Sequence, residues 1–332
     1  MTSISKIVWI DDESERKGES ENLENNLNVN VEFISVKDEV LLDKLNELLL
    51  EKQMPHLILM DHRLTRVKKK GIEKGSTAAE VIREKWPECP IVCITAANPE
   101  DIDWHKKSIY EEVLQYDDIS KYYTTIRSIA ESFRELQENR PTNVNDLLKA
   151  LKTPEDDVIR LHSILPWELK TSEMYRDESL LLSISRWVRH TLIKKPGFLY
   201  DRLWAATILG IKEDSFKKVE TIFTDAKYNG IFADDSNERW WQSKLREIIY
   251  SQFPDDDSIY PWELGRKLTG IDKSDFSHCN HPDEDHADPP TVAYTDEKAN
   301  KRVQRCLRHT ISHPKFEKSL FFEEIWMSKP AE

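Results

Sequence analysis

Three short stretches of this chain place oxygen-bearing side chains directly after runs of apolar residues. Lys6-Ile7-Val8-Trp9-Ile10 runs into Asp11-Asp12, Leu57-Ile58-Leu59-Met60 into Asp61-His62-Arg63-Leu64, and Pro90-Ile91-Val92-Cys93-Ile94 into Thr95-Ala96. If the chain brings these ends together, an acidic pair, a lone aspartate and a hydroxyl share one site. Clustered carboxylates repel one another, and a hard divalent cation that prefers carboxylate and carbonyl oxygens relieves that repulsion. The same cation draws charge from an incoming phosphoryl group. The plainer alternative is that the acids cap their strands and face water.

Apolar runs of this length, each ending in a polar residue, read as buried parallel strands. Such strands deliver their last side chains to the C-terminal edge of an open α/β sheet, where ligands collect. The intervening sequence supplies the remaining elements. Residues 13–27 suit a surface helix, 29–36 alternate as a second strand, and 39–50 carry the helical stripe Val40, Leu41, Leu45, Leu48, Leu49. Residues 78–85 form a helix stopped by Trp86-Pro87, and residues 99–110 follow the third apolar run. Val113-Leu114-Gln115-Tyr116 reads as a fifth strand, and 122–136 as a closing helix with Ile126, Ile129 and Phe133 facing inward. Five such units predict an α/β domain with a doubly wound, five-stranded parallel sheet.

Over roughly residues 4–135 the order and spacing of these stretches resembles the receiver domain of two-component response regulators, a flavodoxin-like fold. The resemblance implies that Asp61 is a phosphoacceptor. It implies Mg2+ bound by Asp12, Asp61 and the backbone carbonyl of Arg63, with Asp11 acting mainly through coordinated water. It implies further that Thr95 hydrogen-bonds a phosphoryl oxygen, and that a histidine kinase or phosphotransfer protein is the donor. Two places depart from the family. A basic stretch, Thr65-Arg66-Val67-Lys68-Lys69-Lys70-Gly71, replaces a short Pro-containing loop, and Gln115 or Tyr116 stands where the family has a lysine, the nearest being Lys121.

The whole chain bounds what else it can be. Its 332 residues suit two or three domains. Its 39% hydrophobic and 33% charged residues are ordinary for a globular protein. The net charge of −13 is spread over both halves, which argues against a broad nonspecific nucleic-acid surface. Cys89, Cys93, Cys279 and Cys306 show no paired framework, as expected of a reducing cytoplasm. No signal peptide or long apolar run is present, so a cytoplasmic protein without membrane segments is expected. There is no Ser-His-Asp set, Walker loop or dinucleotide fingerprint, and eight glycines leave little for phosphate-cradling loops.

Beyond a receiver-like domain at 1–135, residues 136–160 read as a linker with a short helix at 144–151. An internal repeat follows. Pro166-Trp167-Glu168-Leu169 recurs as Pro261-Trp262-Glu263-Leu264, and Arg186-Trp187-Val188-Arg189-His190-Thr191-Leu192 as Arg305-Cys306-Leu307-Arg308-His309-Thr310-Ile311. This predicts a mainly α tandem repeat, its first copy at 161–255 and its second at 256–332 with an insert at 269–296. Within the first copy, helices at 200–209 and 215–223 and a hairpin of 228–232 with 239–241 resemble a winged helix in shape. The second of these helices is as acidic as it is basic, unlike one bound to phosphates. The insert holds His278, Cys279, His281 and His286, a set that could bind Zn2+ but lacks a CxxC pair. Arg308 and His313 have the R-x4-H spacing of HEPN-type ribonucleases.

The expected function is a response-regulator-like signalling protein whose C-terminal half binds a protein partner. A DNA-binding transcriptional regulator is the alternative, using Lys194, Lys195, Arg202, Lys217, Lys218 and Lys227. An RNA- or metal-dependent nuclease is the third reading.

Overall fold

Strand order is what fixes the architecture of the N-terminal part. In the computed structural model, which describes residues 5–50, 53–67, 74–98, 102, 108–234, 237–279, 291–296 and 301–306, β1 (Lys6–Asp11), β2 (Asn30–Ser35), β3 (Leu57–Asp61), β4 (Ile91–Thr95) and β5 (Glu112–Gln115) form one parallel sheet. Its order is β2-β1-β3-β4-β5, the doubly wound flavodoxin-like order. The connecting helices are α1 (Lys17–Leu27), α2 (Leu41–Leu49) and α3 (Gly75–Lys85), and α4 (Tyr123–Glu138) closes the unit.

Both faces of the sheet are buried, which is why the strands read as apolar runs rather than alternating ones. Val8, Ile10, Ile58, Met60 and Cys93 pack on one face with Leu41 and Leu45 of α2 and Ala78 and Ile82 of α3. Their neighbours Ile7, Trp9, Leu57, Leu59, Val92 and Ile94 point the other way and are equally buried. There α4 packs on β3 and α1 packs on α4.

Elsewhere the expected strands and helices are present with shifted ends, while residues 99–101 and 103–107, between β4 and β5, lie outside the described residues. A 3-10 turn, Ser14–Arg16, precedes α1. Helix α3 starts at Gly75 rather than 78, because Gly75, lacking a Cβ, fits against the end of β3 and gives its N–H to the His62 carbonyl. Strand β5 ends at Gln115, and Tyr116 opens a 3-10 helix to Tyr122.

The chain divides into two units. The first spans Met1–Ala150, Pro166–Trp187 and Asp234–Ser236; the second spans Leu151–Leu165, Val188–Ala233 and Asn237–Glu332. Besides the sheet and its helices, the first unit holds α5 (Val144–Ala150) and α7 (Leu180–Trp187), and the second holds α6 (Val158–Ile164).

The second unit is built on short helices around aromatic side chains. It contains β6 (Leu199–Tyr200), α8 (Arg202–Ile208), α9 (Glu213–Phe216), β7 (Trp240–Trp241), α10 (Gln242–Gln252), α11 (Pro261–Gly265) and the antiparallel pair β8 (Thr291–Asp296) and β9 (Lys301–Cys306). Tyr200, Trp204, Phe216, Phe223 and Trp240 share its core.

The winged-helix expectation needs correction in its details. Residues 228–232 form no strand, since Phe232 takes a left-handed backbone with φ 62° that ends any extended run. A single bridge joins Lys227 to Trp240, and β7 pairs instead with β6. The expected helix at 215–223 is broken into α9 and a 3-10 segment, Glu220–Ala226, which lets Phe216 and Phe223 stack at 6.0 Å.

The repeated motifs also differ in conformation. Glu168–Lys170 is a 3-10 turn, whereas Pro261–Gly265 is α-helical. Arg186 and Trp187 end a helix, whereas Arg305 and Cys306 end a strand. Residues 307–311, and with them Arg308, lie outside the described residues, as do His281, His286 and His313. His278 and Cys279 are described, and among the described residues the one candidate metal cluster is Asp11, Asp12 and Asp61.

Ile58 tests the central strand. Ile58→Ala removes a fully buried side chain from β3 and should cost about 2–5 kcal/mol in urea unfolding. Exposed Glu84→Ala should stay within about 0.5 kcal/mol of wild type.

Candidate functional site

Register brings the three polar ends together. β3 lies beside β1 with Ile10 opposite Met60, so the next residues, Asp11 and Asp61, meet at the strand ends. β2 is on the far side of β1, which makes the β1/β3 junction the topological switch point, where crevices open at the C-terminal edge. Carboxylate oxygens of Asp11, Asp12 and Asp61 all lie within 4.8 Å of one another. On the other side of β3, Asp61 pairs with Ile94, and Thr95 at the end of β4 pairs with Gln115.

The acids are held by backbone amides. Glu13 N–H donates to Asp11 Oδ1 at 2.8 Å, and Arg66 N–H donates to Asp12 Oδ2 at 2.5 Å. Burial pushes the Asp61 carboxyl up to about 7, reinforced by the charges of Asp11 and Asp12 and opposed by the N–H groups of Arg63 and His62. Burial likewise raises Asp11 to about 6, against the Glu13 amide and the Arg16 guanidinium. Groups this close titrate as a set. Thr95 Oγ1 accepts from Ala97 N–H at 3.1 Å, so its own proton can serve another acceptor. Three carboxylates in this arrangement could hold a divalent cation.

Four features escaped the sequence reading. Arg16, expected on a surface helix, lays its guanidinium over the Tyr116 ring at 3.0 Å from the centroid. Its Nε lies 3.9 Å from Asp11 Oδ2, and it also pairs with Glu13 and Glu19. No local pattern marks it, because β1 and the residue after β5 are over a hundred positions apart in the chain. The second is the start of the basic loop. Arg66 gives its N–H to Asp12, takes the Asp38 N–H on its carbonyl, and sets its side chain on Glu13 at 3.0 Å. The third is Gly75, where a Cβ would come within 2.2 Å of the Asp61 carbonyl oxygen. A glycine just before a helical stripe, in a chain with only eight, was the available signal. The fourth is Tyr110, buried against His62 with ring centroids 6.3 Å apart.

No family model and no curated protein matches the chain. Solved structures similar to it include receiver domains of response regulators, over about 40% of the chain. One is the N-terminal domain of a response regulator/sensory box/GGDEF protein from Carboxydothermus hydrogenoformans, 22% identical, with 40% of this chain and 97% of that one covered and a TM-score of 0.31. Another is a two-component response regulator from Clostridium difficile, 16% identical, with 38% and 96% covered and a TM-score of 0.31. A response regulator from Thermotoga maritima, in complex with Mg2+–BeF, is 18% identical, with 38% and 99% covered and a TM-score of 0.29. The fold assignment rests on the strand order itself.

Asp61 should set a pH dependence. Without metal, the unfolded chain releases this proton near the ordinary 3.8, while the folded chain keeps it to about 7. The unfolded state therefore binds fewer protons in that window, and stability falls as pH rises through it. Asp61→Asn removes this contribution. Its urea midpoint should exceed that of wild type by a margin that grows between about pH 4 and pH 7 and then levels. A margin that shrinks with rising pH contradicts the assignment.

Arg16 carries charge of the same sign as a bound cation. Arg16→Gln should tighten Mg2+ binding several-fold, corresponding to roughly 1 kcal/mol of removed repulsion, in calorimetric titration above pH 7, where both raised carboxyls are ionised. Weaker binding would instead make Arg16 a support for the ligand set.

Proposed function

We propose that the first unit is a phosphoacceptor module of response-regulator type and that the C-terminal half is its output, binding a protein. One observation carries the reading: three carboxylates from two adjacent buried strands meet at the switch point, with a buried threonine hydroxyl on the next strand. In this reading an Asp61 carboxylate oxygen attacks phosphorus, and the bond to a phosphohistidine nitrogen breaks. The electron pair leaves with the imidazole, and an acyl phosphate remains on Asp61. Asp12, Asp61 and the Arg63 carbonyl would hold Mg2+, with Asp11 acting through water, and the ion would supply charge neutralisation for the transferring oxygens. Thr95 donates its hydroxyl proton to one of those oxygens. The donor is a histidine kinase or phosphotransfer protein.

For the output, three of the six cations named for a DNA-binding mode are already held in ion pairs. Arg202 pairs with Glu220 and Glu238, Lys227 with Glu238, and Lys218 with Asp275 at 2.7 Å. Phosphate contacts would have to break these pairs, which favours a protein partner over duplex DNA. No helix of the described residues is long and apolar enough to cross a membrane, and a cytoplasmic setting suits the proposed chemistry.

With Mg2+ and acetyl phosphate, intact-mass spectrometry should find one added acid-labile phosphoryl group on the wild-type chain and none on Asp61→Asn. A wild-type chain that stays unlabelled where an ordinary receiver is labelled would refute the acceptor role.

A further inference from the structure

The edge of the sheet opposite the acids holds a second cluster of buried charge. Glu111 donates its N–H to the Ile91 carbonyl at the start of β4, which places it at the N-terminal edge of the strands. Its carboxylate is wholly buried, and a single oxygen, Oε1, receives two guanidiniums. Arg83, in the last turn of α3, lies at 3.2 Å, and Arg186, near the end of α7, at 3.4 Å. Arg186 also donates to the Ser108 carbonyl at 3.4 Å. The other end of α7 is held by a second glutamate. Glu88 accepts the Leu181 N–H at 3.2 Å and pairs with Arg140, which donates in turn to the Asp177 carbonyl. Helix α7 is thus fastened to this unit at both ends, with Leu180, Leu181, Ile184 and Trp187 buried along it.

Two paths lead from this cluster to Asp61. The first is Tyr110, the residue before Glu111. Its ring touches His62, and its hydroxyl, buried and without a hydrogen-bond partner, would meet a Cβ at Gly75 at 3.1 Å. That same Cβ would strike the Asp61 carbonyl oxygen, so the Tyr110 hydroxyl, Gly75 and the Asp61 backbone are in one tight contact. The second is α3, whose first residue is Gly75 and whose last turn carries Arg83. A displacement at Asp61 therefore reaches Glu111 from both sides. Two guanidiniums on one buried oxygen repel each other, and half-exposed Arg186 can leave for water while Arg83 keeps the buried Glu111 carboxylate paired. Such a cluster responds to a small shift by switching between discrete arrangements.

Resting on the acceptor reading above, we propose that the Glu88 and Glu111 cluster is a latch on α7 which the loading of Asp61 releases. Helix α7 ends at Trp187, and the second unit resumes at Val188, so the latch governs the last residues of the first unit before the chain passes to the output half. Loading pulls on Gly75 and Tyr110 together, lengthens the Glu111 pairs and loosens α7.

The test is hydrogen exchange by mass spectrometry on the full chain, with Mg2+ alone and with Mg2+ plus beryllium fluoride as the phosphoryl mimic. Bound fluoride, followed by 19F NMR and absent in Asp61→Asn, reports loading independently. In loaded wild type, amides of α7 should exchange faster by about tenfold, within the usual range of coupling between sites, while β3 stays protected. In Glu111→Gln, α7 should exchange fast with or without loading. Arg186→Ala, at a half-exposed side chain, should do the same if the buried Glu111→Gln variant fails to fold. A bound-fluoride signal with α7 unchanged overturns the latch and leaves the acceptor reading standing, as does a wild-type response retained in these variants. No fluoride signal at all sinks both.

Discussion

Three carboxylates within 4.8 Å of one another, at the ends of two buried strands, are the constraint to which the rest of the first unit answers. At that separation each like-charged pair repels by between about 1 kcal/mol in water-like surroundings and about 4 kcal/mol at the effective dielectric of a protein. The unit meets this in two ways. Backbone amides of Glu13 and Arg66 are aimed at Asp11 and Asp12, and Arg16 is parked beside Asp11. What is left over raises the Asp11 and Asp61 carboxyls, so without a cation the cluster stays partly protonated near neutral pH. Such a site is unfavourable until something positive enters it. That marks it as a candidate functional site rather than a stabilising feature.

The same constraint explains the close quarters around Asp61. Helix α3 starts hard against its carbonyl oxygen, which only a glycine permits at position 75. Arg66 folds the loop after β3 back over Asp12, so this part of the basic stretch is structured by the site it covers. Arg16 stacks on Tyr116, immediately beyond Gln115 at the end of β5. Positive charge therefore stands near that strand end although Gln115 supplies none. It is carried by the connection between β1 and α1.

The C-terminal half has no comparable polar centre among the described residues. Its core is aromatic, with Phe216 set edge-on against Trp240 at 5.1 Å and Tyr200 stacked on Trp204 at 5.6 Å. Short helices and two-residue strands suffice because these large side chains bury much area per residue. Ion pairs such as Lys218–Asp275 fasten its loops, and Gln304 on β9 donates to Thr207 Oγ1 and the Ile211 carbonyl. Trp167, by contrast, stands largely exposed in the first unit, although its motif is repeated at Trp262. Identical tetrapeptides thus serve different surroundings, since four residues carry too little information to set a conformation against their tertiary contacts.

The sequence alone determined the sheet and the identity of the acids. Uninterrupted apolar runs are compatible with strands buried on both faces, and each run's ending named the side chain at the edge: Asp11, Asp61, Thr95. It determined the helical stripes of α2 and α4 for the same reason of periodicity. It did not determine what surrounds those acids. Arg16 on Tyr116, the Arg66 amide on Asp12, and Glu111 between Arg83 and Arg186 join positions far apart in the chain. Nor did it settle the second unit. There 228–232 has strand-like composition, yet pairing with β7 stops at the Lys227–Trp240 bridge and the Tyr228 N–H bond to the Arg239 carbonyl, and Phe232 turns the backbone away. Periodicity reports which face a residue shows. Only the packed chain decides what that face meets.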